Sequence, residues 1–284
     1  MDVGLFPVLV LEVPMQRAAL FGRSTRKKLK APRWIWSSLS VVVGFLLFGA
    51  VWYLLSHTVA PRVPDPLATL QTFLELIRNP FYDNGPNDKG IAIQLGVSLL
   101  RVFAGFLLGV LIALPLGVLV GSSELLRGAL NPVIQLLRPV SPLAWFPVGL
   151  AAFAASEKAA VFVIAICSLW PTLINTAAGI ASVPEDYKNV ARVFRFSPWK
   201  YLTRVLLPYA LVYILTGFRL GLGIAWMVIV AAEMLSGGTG VGFFIWDSYN
   251  ALDLNRVMAA ILLVGLVGWV LDSVLGYALR KVRV

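Results

Sequence analysis

The chain has 284 residues, of which 59% are hydrophobic and only 13% charged. A soluble domain carries about a quarter charged residues, so the composition excludes a soluble globular protein and implies a polytopic membrane protein. The net charge of +10 would suit nucleic acid, but the basic residues gather beside apolar segments, which is how membrane topology is written.

Residues 1–36 open with a weakly apolar run broken by Pro7, Glu12 and Pro14. A basic block follows: Arg17, Arg23, Arg26, Lys27, Lys28, Lys30 and Arg33, with no acid among them. In a signal peptide the charges precede the apolar part; here they follow it, so the expectation is a cytoplasmic or interfacial arm ahead of a membrane domain at 37–284. The first apolar segment, about Ser37 to Ser56, is long enough to span, with Trp52 and Tyr53 as interface anchors. The single histidine, His57, ends it and reads as an interfacial residue more readily than as a ligand. In the outer loop, Pro64-Asp65-Pro66 opens a short amphipathic helix to about Ile77, and NPFYDNGPNDKG at 79–90 is turn chemistry.

The second segment runs from about Gly96 to Val120 with Gly105, Gly109 and Gly117 along it. The third, about Ala129 to Phe153, holds Pro139, Pro142 and Pro147, which no straight helix accommodates. Broken backbone at membrane depth is tolerated where protein or a water-filled cavity satisfies the freed groups. The fourth, about Lys158 to Ala181, carries Trp170-Pro171, where another break is expected. It also holds the one cysteine, Cys167, which reads as a small core residue. The fifth runs from about Leu206 to Met234, its Gly217 and Gly221 spaced for close helix approach. A short surface or re-entrant helix is expected through Phe243–Tyr249, and the sixth segment covers about Asn255 to Leu279. Arg127, the five bases in 182–206, the N-terminal block and the bases at 280–283 all fall on one side. The reading is therefore an all-α membrane protein of about six spans with both termini cytoplasmic.

The cytoplasmic loop 182–206 is the most informative stretch. Pro184 with Glu185 and Asp186 starts a helix, and Arg192 and Arg195 suit its far end. Tyr187, Val190, Val193 and Phe194 give it an apolar face that calls for a partner. A second short helix is expected from Trp199 to Leu207-Pro208.

Asn189-Val190-Ala191, three residues, Arg195, nine residues and Val205-x-Leu207-Pro208 match the frame of the EAA loop of permeases driven by ATP-binding cassettes. The spacing and the closing Leu-Pro agree; the loop's Glu, first Ala and Gly do not. From about 64 to 279 the chain resembles the branch of these importers that carries nitrate, sulfonates and taurine. NPFYDNGPNDKG and GGTGVGFFIWDSYNAL, 237–252, resemble its nitrate, bicarbonate and cyanate members. The resemblance implies a type I importer transmembrane domain that carries nitrate, with bicarbonate, cyanate or an organosulfonate as the alternative. It implies a homodimer, two ATP-binding subunits that bind ATP and magnesium, and an extracytoplasmic binding protein. The ATPase-docking coupling helix would lie at about Glu185 to Phe196, through Glu185, Asn189, Val190, Ala191, Phe194 and Arg195.

Pathway candidates are Arg138, Ser141, Trp145, Thr216, Arg219, Trp226 and Glu233. An intramembrane arginine is costly and can hold a planar oxyanion through paired donors; it can equally snorkel from a helix end. Ser141 and Trp145 either line the same path or pack around the prolines. Arg219 and Glu233 bracket the fifth segment and resemble positions that recur across the whole permease branch. No phosphate-binding glycine loop, catalytic constellation or metal-ligand cluster is present in the sequence, so a permease without a cofactor of its own is expected. A secondary transporter is the competing class; it would need no docking helix.

Overall fold

The computed structural model describes residues 33–85 and 88–282. Most of the expected basic arm, two positions of the outer turn (Pro86 and Asn87) and Arg283 lie outside the described residues. The described residues fall into two units, one ending at Phe48 and the other beginning at Gly49.

The regular elements among the described residues are helices, apart from one isolated bridge between Asp83 and Lys89. The first helix, α1 (Arg33–Thr58), is apolar and largely exposed from Leu39 onward, as a lipid-facing helix is. The outer helix α2 (Pro66–Arg78) starts where the Pro-Asp-Pro pattern predicts: Asp65 caps it, accepting the Ala68 N–H at 2.7 Å, and Pro66 sits where a missing N–H costs nothing.

Helix α3 (Ile91–Ser122) is 32 residues long, about 48 Å at 1.5 Å per residue, and so outreaches the hydrocarbon core. Next come α4 (Glu124–Leu137) and α5 (Pro142–Phe153), which meet at 98°. This is the break the proline spacing predicts. Alone, α5 reaches only about 18 Å, too short to span.

Helix α6 (Ser156–Ala181) runs unbroken through Pro171, against the expected break. It is clasped between α3 and α9 (Leu207–Ser236), and this packing on two sides outweighs one lost backbone hydrogen bond. A second departure precedes α9. The short α8 (Pro198–Tyr201) does not stop at the membrane but continues through a single wide turn, Leu202–Leu206, into α9. The wide turn shifts the hydrogen-bond register just ahead of Pro208, whose ring would otherwise clash with the carbonyl one turn back. The outer α10 (Val241–Asn250) and the last helix, α11 (Leu254–Val282), complete the chain. Among the described residues, five helices are long and apolar enough to cross a membrane, six if the bent α4–α5 pair counts as one span.

Lipid removes the hydrophobic drive for helix association, so close packing must supply it. On α3, Gly105, Gly109, Ala113, Gly117 and Gly121 recur every fourth residue and are buried, a stripe that lets α6 approach to backbone contact. A methyl at Gly109 would lie 2.6 Å from Ser168 Oγ, and one at Gly121 2.7 Å from the Ala177 carbonyl. The main core joins Val102 and Phe106 of α3, Val163 and Ile164 of α6, and Trp226 and Ile229 of α9. A smaller cluster of Ile180, Val183, Leu206 and Ile214 seats the cytoplasmic loop on the membrane helices.

Candidate functional site

The cytoplasmic loop folds into α7 (Glu185–Val193), with Pro184 before it and two acids in its first turn. Lys188 donates to Glu185 at 2.7 Å and holds that carboxyl below the usual carboxylate range. The helix ends in a full Schellman closure: Phe196 N–H reaches the Ala191 carbonyl at 2.9 Å and Arg195 N–H the Arg192 carbonyl at 3.0 Å. Arg195 therefore occupies the left-handed position, with φ +46°. That explains the glycine in the family frame: the turn needs a left-handed residue, and here an arginine supplies it at a steric cost of roughly 1–2 kcal/mol. Arg195→Gly is expected to stabilise the purified protein by about 0.5–1 kcal/mol, read as a rise in thermal midpoint.

The two faces of α7 differ. Tyr187, Val190, Val193 and Phe194 are exposed, as is Asn189, whereas Ala191 is 6% exposed and turns toward its own membrane helices. The face free to meet another protein is thus apolar.

Arg138 caps the end of α4 at the 98° bend. Its side chain is exposed and has no ion-pair or hydrogen-bond partner among the described residues. It lines two cavities. One, of about 310 Å³, lies at mid-depth between the bend, Trp170 and Asn175 of α6, and Leu220 and Ile224 of α9. The other, of about 780 Å³, opens toward the basic face past Asn131, Gln135 and Ala181. Asn175 donates one amide hydrogen to the Pro171 carbonyl at 2.8 Å, leaving a second for a ligand. A guanidinium fork and an amide N–H at one cavity can hold a small planar oxyanion.

The other pathway candidates lie elsewhere. Ser141 is exposed at the start of α5, and Trp145 packs partly buried against the main core. Thr216 donates to the Val212 carbonyl of its own helix at 2.7 Å. Trp226 is 4% exposed and its Nε1 ties α9 to the Val264 carbonyl of α11 at 3.0 Å. Arg219 forms a bidentate pair with Asp272 of α11, at 2.6 and 2.5 Å.

Glu233 is wholly buried near the outer end of α9. It accepts Arg101 Nη1 at 2.9 Å, Ser98 Oγ at 2.8 Å and Gly242 N–H at 2.9 Å. Gly240 N–H donates to Gln94 Oε1 at 2.5 Å and Val241 N–H to Ser98 Oγ at 2.9 Å. These three consecutive amides open α10 and have no partner within that helix. Glycines at 237, 238 and 240 take positive φ and aim the turn inward, and a carboxylate at a helix start is favoured by the dipole. Arg101 also holds the Thr239 carbonyl at 2.6 Å and Glu157 of α6 at 2.9 Å.

Sequence reasoning passed over Arg101, Asp272 and Asn175. Arg101 carried a usable signal: Gln94, Ser98 and Arg101 fall at helical spacing on the face that continues into the glycine stripe. Asp272 is an acid within an apolar span, which is itself a flag. Asn175 gave none.

Over residues 102–284 the chain matches the family described as binding-protein-dependent transport system inner membrane component. It is 44% identical over 238 residues to the nitrate import permease protein NrtB of Synechocystis sp., covering 84% of this chain and 86% of that one. It is equally 44% identical, over 245 residues, to the bicarbonate transport system permease protein CmpB of Synechococcus elongatus, covering 85% and 87%. Its fold is that of a chain of the MetNI methionine ABC transporter in an inward-facing form, with a TM-score of 0.62 at 15% identity, covering 68% of this chain and 95% of that one. The family match over more than half its length and the extended identity to these permeases make the chain a member of the inner-membrane permease family of binding-protein-dependent ABC transport systems.

Proposed function

We propose that the chain is the membrane permease of an ATP-driven nitrate importer. It works as a homodimer, with two ATP-binding subunits beneath and an extracytoplasmic binding protein above. The observation that carries the substrate class is Arg138: an unpaired guanidinium at a broken helix, facing a mid-depth cavity and the larger cavity beyond it. Nitrate is small, planar and monovalent, which suits one bidentate cation and one amide donor. In this reading, the anion passes from the binding protein to the mid-depth cavity, and Arg138 hands it toward the cytoplasm when the halves tilt. ATP binds and is hydrolysed, with magnesium, on the partner subunits; this chain supplies no cofactor.

The exposed face of α7 is the ATPase contact. The nucleotide-driven closure of the partners moves α7, and the clasp of α3, α6 and α9 transmits it as a rigid tilt. Val190→Asp and Phe194→Asp are expected to leave insertion intact while stripping the ATPase subunits from the complex or uncoupling hydrolysis from uptake. Pull-down of the ATPase and substrate-stimulated hydrolysis read the two outcomes. Ala191→Asp acts differently, by placing a charge against the chain's own helices, so it unseats the loop.

Bicarbonate is the second reading, favoured by the equal identity to a bicarbonate permease. Labelled-nitrate uptake into proteoliposomes holding the complete transporter, with excess bicarbonate, cyanate or taurine, separates them. Uptake that needs ATP and resists the competitors supports nitrate; suppression by bicarbonate moves the substrate to the second reading.

A further inference from the structure

A third cavity, of about 710 Å³, lies on the opposite side of α7 from its exposed apolar face. Its roof is basic: Lys188 and Arg192, one turn apart on α7, with the buried Ala191 between them, and Arg195 just past the helix end. Its far wall is Arg127, at the start of α4, and its floor is apolar, with Ile180 at the end of α6 and Leu206 before α9. Glu124 and Glu185 also line it, so four cations face two carboxylates. The only ion pair among these is Lys188–Glu185. Arg127 spends one N–H on the Gly121 carbonyl at 2.7 Å and Arg192 one on Asn189 Oδ1 at 3.1 Å. Neither arginine meets a carboxylate among the described residues, and Arg195 has no side-chain partner there.

We propose that this cavity binds a phosphate-bearing anion at the cytoplasmic membrane surface. Three guanidinium groups with spare N–H donors suit a tetrahedral oxyanion. The position supports the same chemistry: α3 ends, α6 ends and α9 begins around the cavity, so it opens at headgroup level. Basic pockets between membrane helices on this side are where acidic lipid headgroups settle. The apolar floor accepts the first part of an acyl chain, though a free phosphate satisfies the same cations. The bound anion cross-links α7 to the ends of α3 and α6. It therefore stiffens the joint through which an ATPase moves the membrane helices, whatever substrate is carried.

The test is thermal stability of the detergent-purified permease–ATPase complex, titrated separately with dioctanoyl phosphatidylglycerol, dioctanoyl phosphatidylcholine and inorganic phosphate. The expected result is a saturable rise in midpoint with phosphatidylglycerol, a weaker one with phosphatidylcholine, and a half-saturation about five-fold higher in Arg192→Gln. Arg127→Gln is the second variant, from a different wall of the cavity, with gel filtration to confirm that each complex stays assembled. An equal, variant-sensitive response to inorganic phosphate supports the site with a free anion as its source. No saturable response to either anion overturns the proposal, as does a response unchanged in both variants.

Discussion

Arg101→Met is expected to cost about 3–5 kcal/mol of stability. The reason is what remains behind. Glu233 is wholly buried and loses its only cation, a hydrogen bond at 2.9 Å. Ser98 and the Gly242 amide still donate to it, but they do not neutralise a charge enclosed by protein. The same change frees the Thr239 carbonyl, so the glycine turn ahead of α10 loses a second tie. Glu233→Gln in the intact background should cost less, about 1–3 kcal/mol, because an amide keeps one acceptor for Ser98 or Gly242. Combining the two should recover part of the Arg101→Met loss. Detergent-solubilised thermal unfolding monitored by size exclusion reads all three, and additive losses would show that the charges do not act as a pair.

Arg138→Gln should do the opposite: leave folding untouched and sharply lower uptake. Arg138 has no ionic or hydrogen-bonding partner among the described residues, so its removal orphans nothing. What goes is the one cation shared by the mid-depth and cytoplasm-side cavities. A loss of 1.5–3 kcal/mol in a charge-assisted contact corresponds to roughly 10- to 150-fold in uptake efficiency. Arg138→Lys keeps the charge without the planar fork and should recover only part of it. Binding protein affinity, assembly and basal ATP hydrolysis should all stay at the parental level. Wild-type uptake by Arg138→Gln would move the anion path away from the bend.

The reading from sequence and the folded chain agree most where a local rule has no competitor. Asp65 caps α2, the Pro139–Pro142 spacing breaks the third span, and the EAA-type frame yields a closed helix with its left-handed residue at Arg195. They part where a distant contact decides. Pro171 should interrupt α6 by its own chemistry, yet α3 and α9 hold the helix straight through it. Pro208 should mark a new helix, yet the wide turn at Leu202–Leu206 absorbs its ring. The candidate site divides in the same way. Arg138 stands out in sequence as a charge without an obvious partner. Glu233 stands out too, but its side-chain partners Ser98 and Arg101 lie more than 130 residues away in the chain. No local pattern joins them.

That separation has a consequence in time. A ribosome delivers α3 to the membrane long before α9, so Arg101 is in place while Glu233 has yet to be made. When α9 inserts, its carboxylate crosses toward the outer face with a cation already waiting near that face, and the α10 amides arrive only afterwards to close the shell. The newborn chain thus completes its outer corner in one late step. A chain that ends between α9 and α10 has the Ser98 and Arg101 donors but lacks the Gly242 amide, so the Glu233 carboxylate keeps an open side.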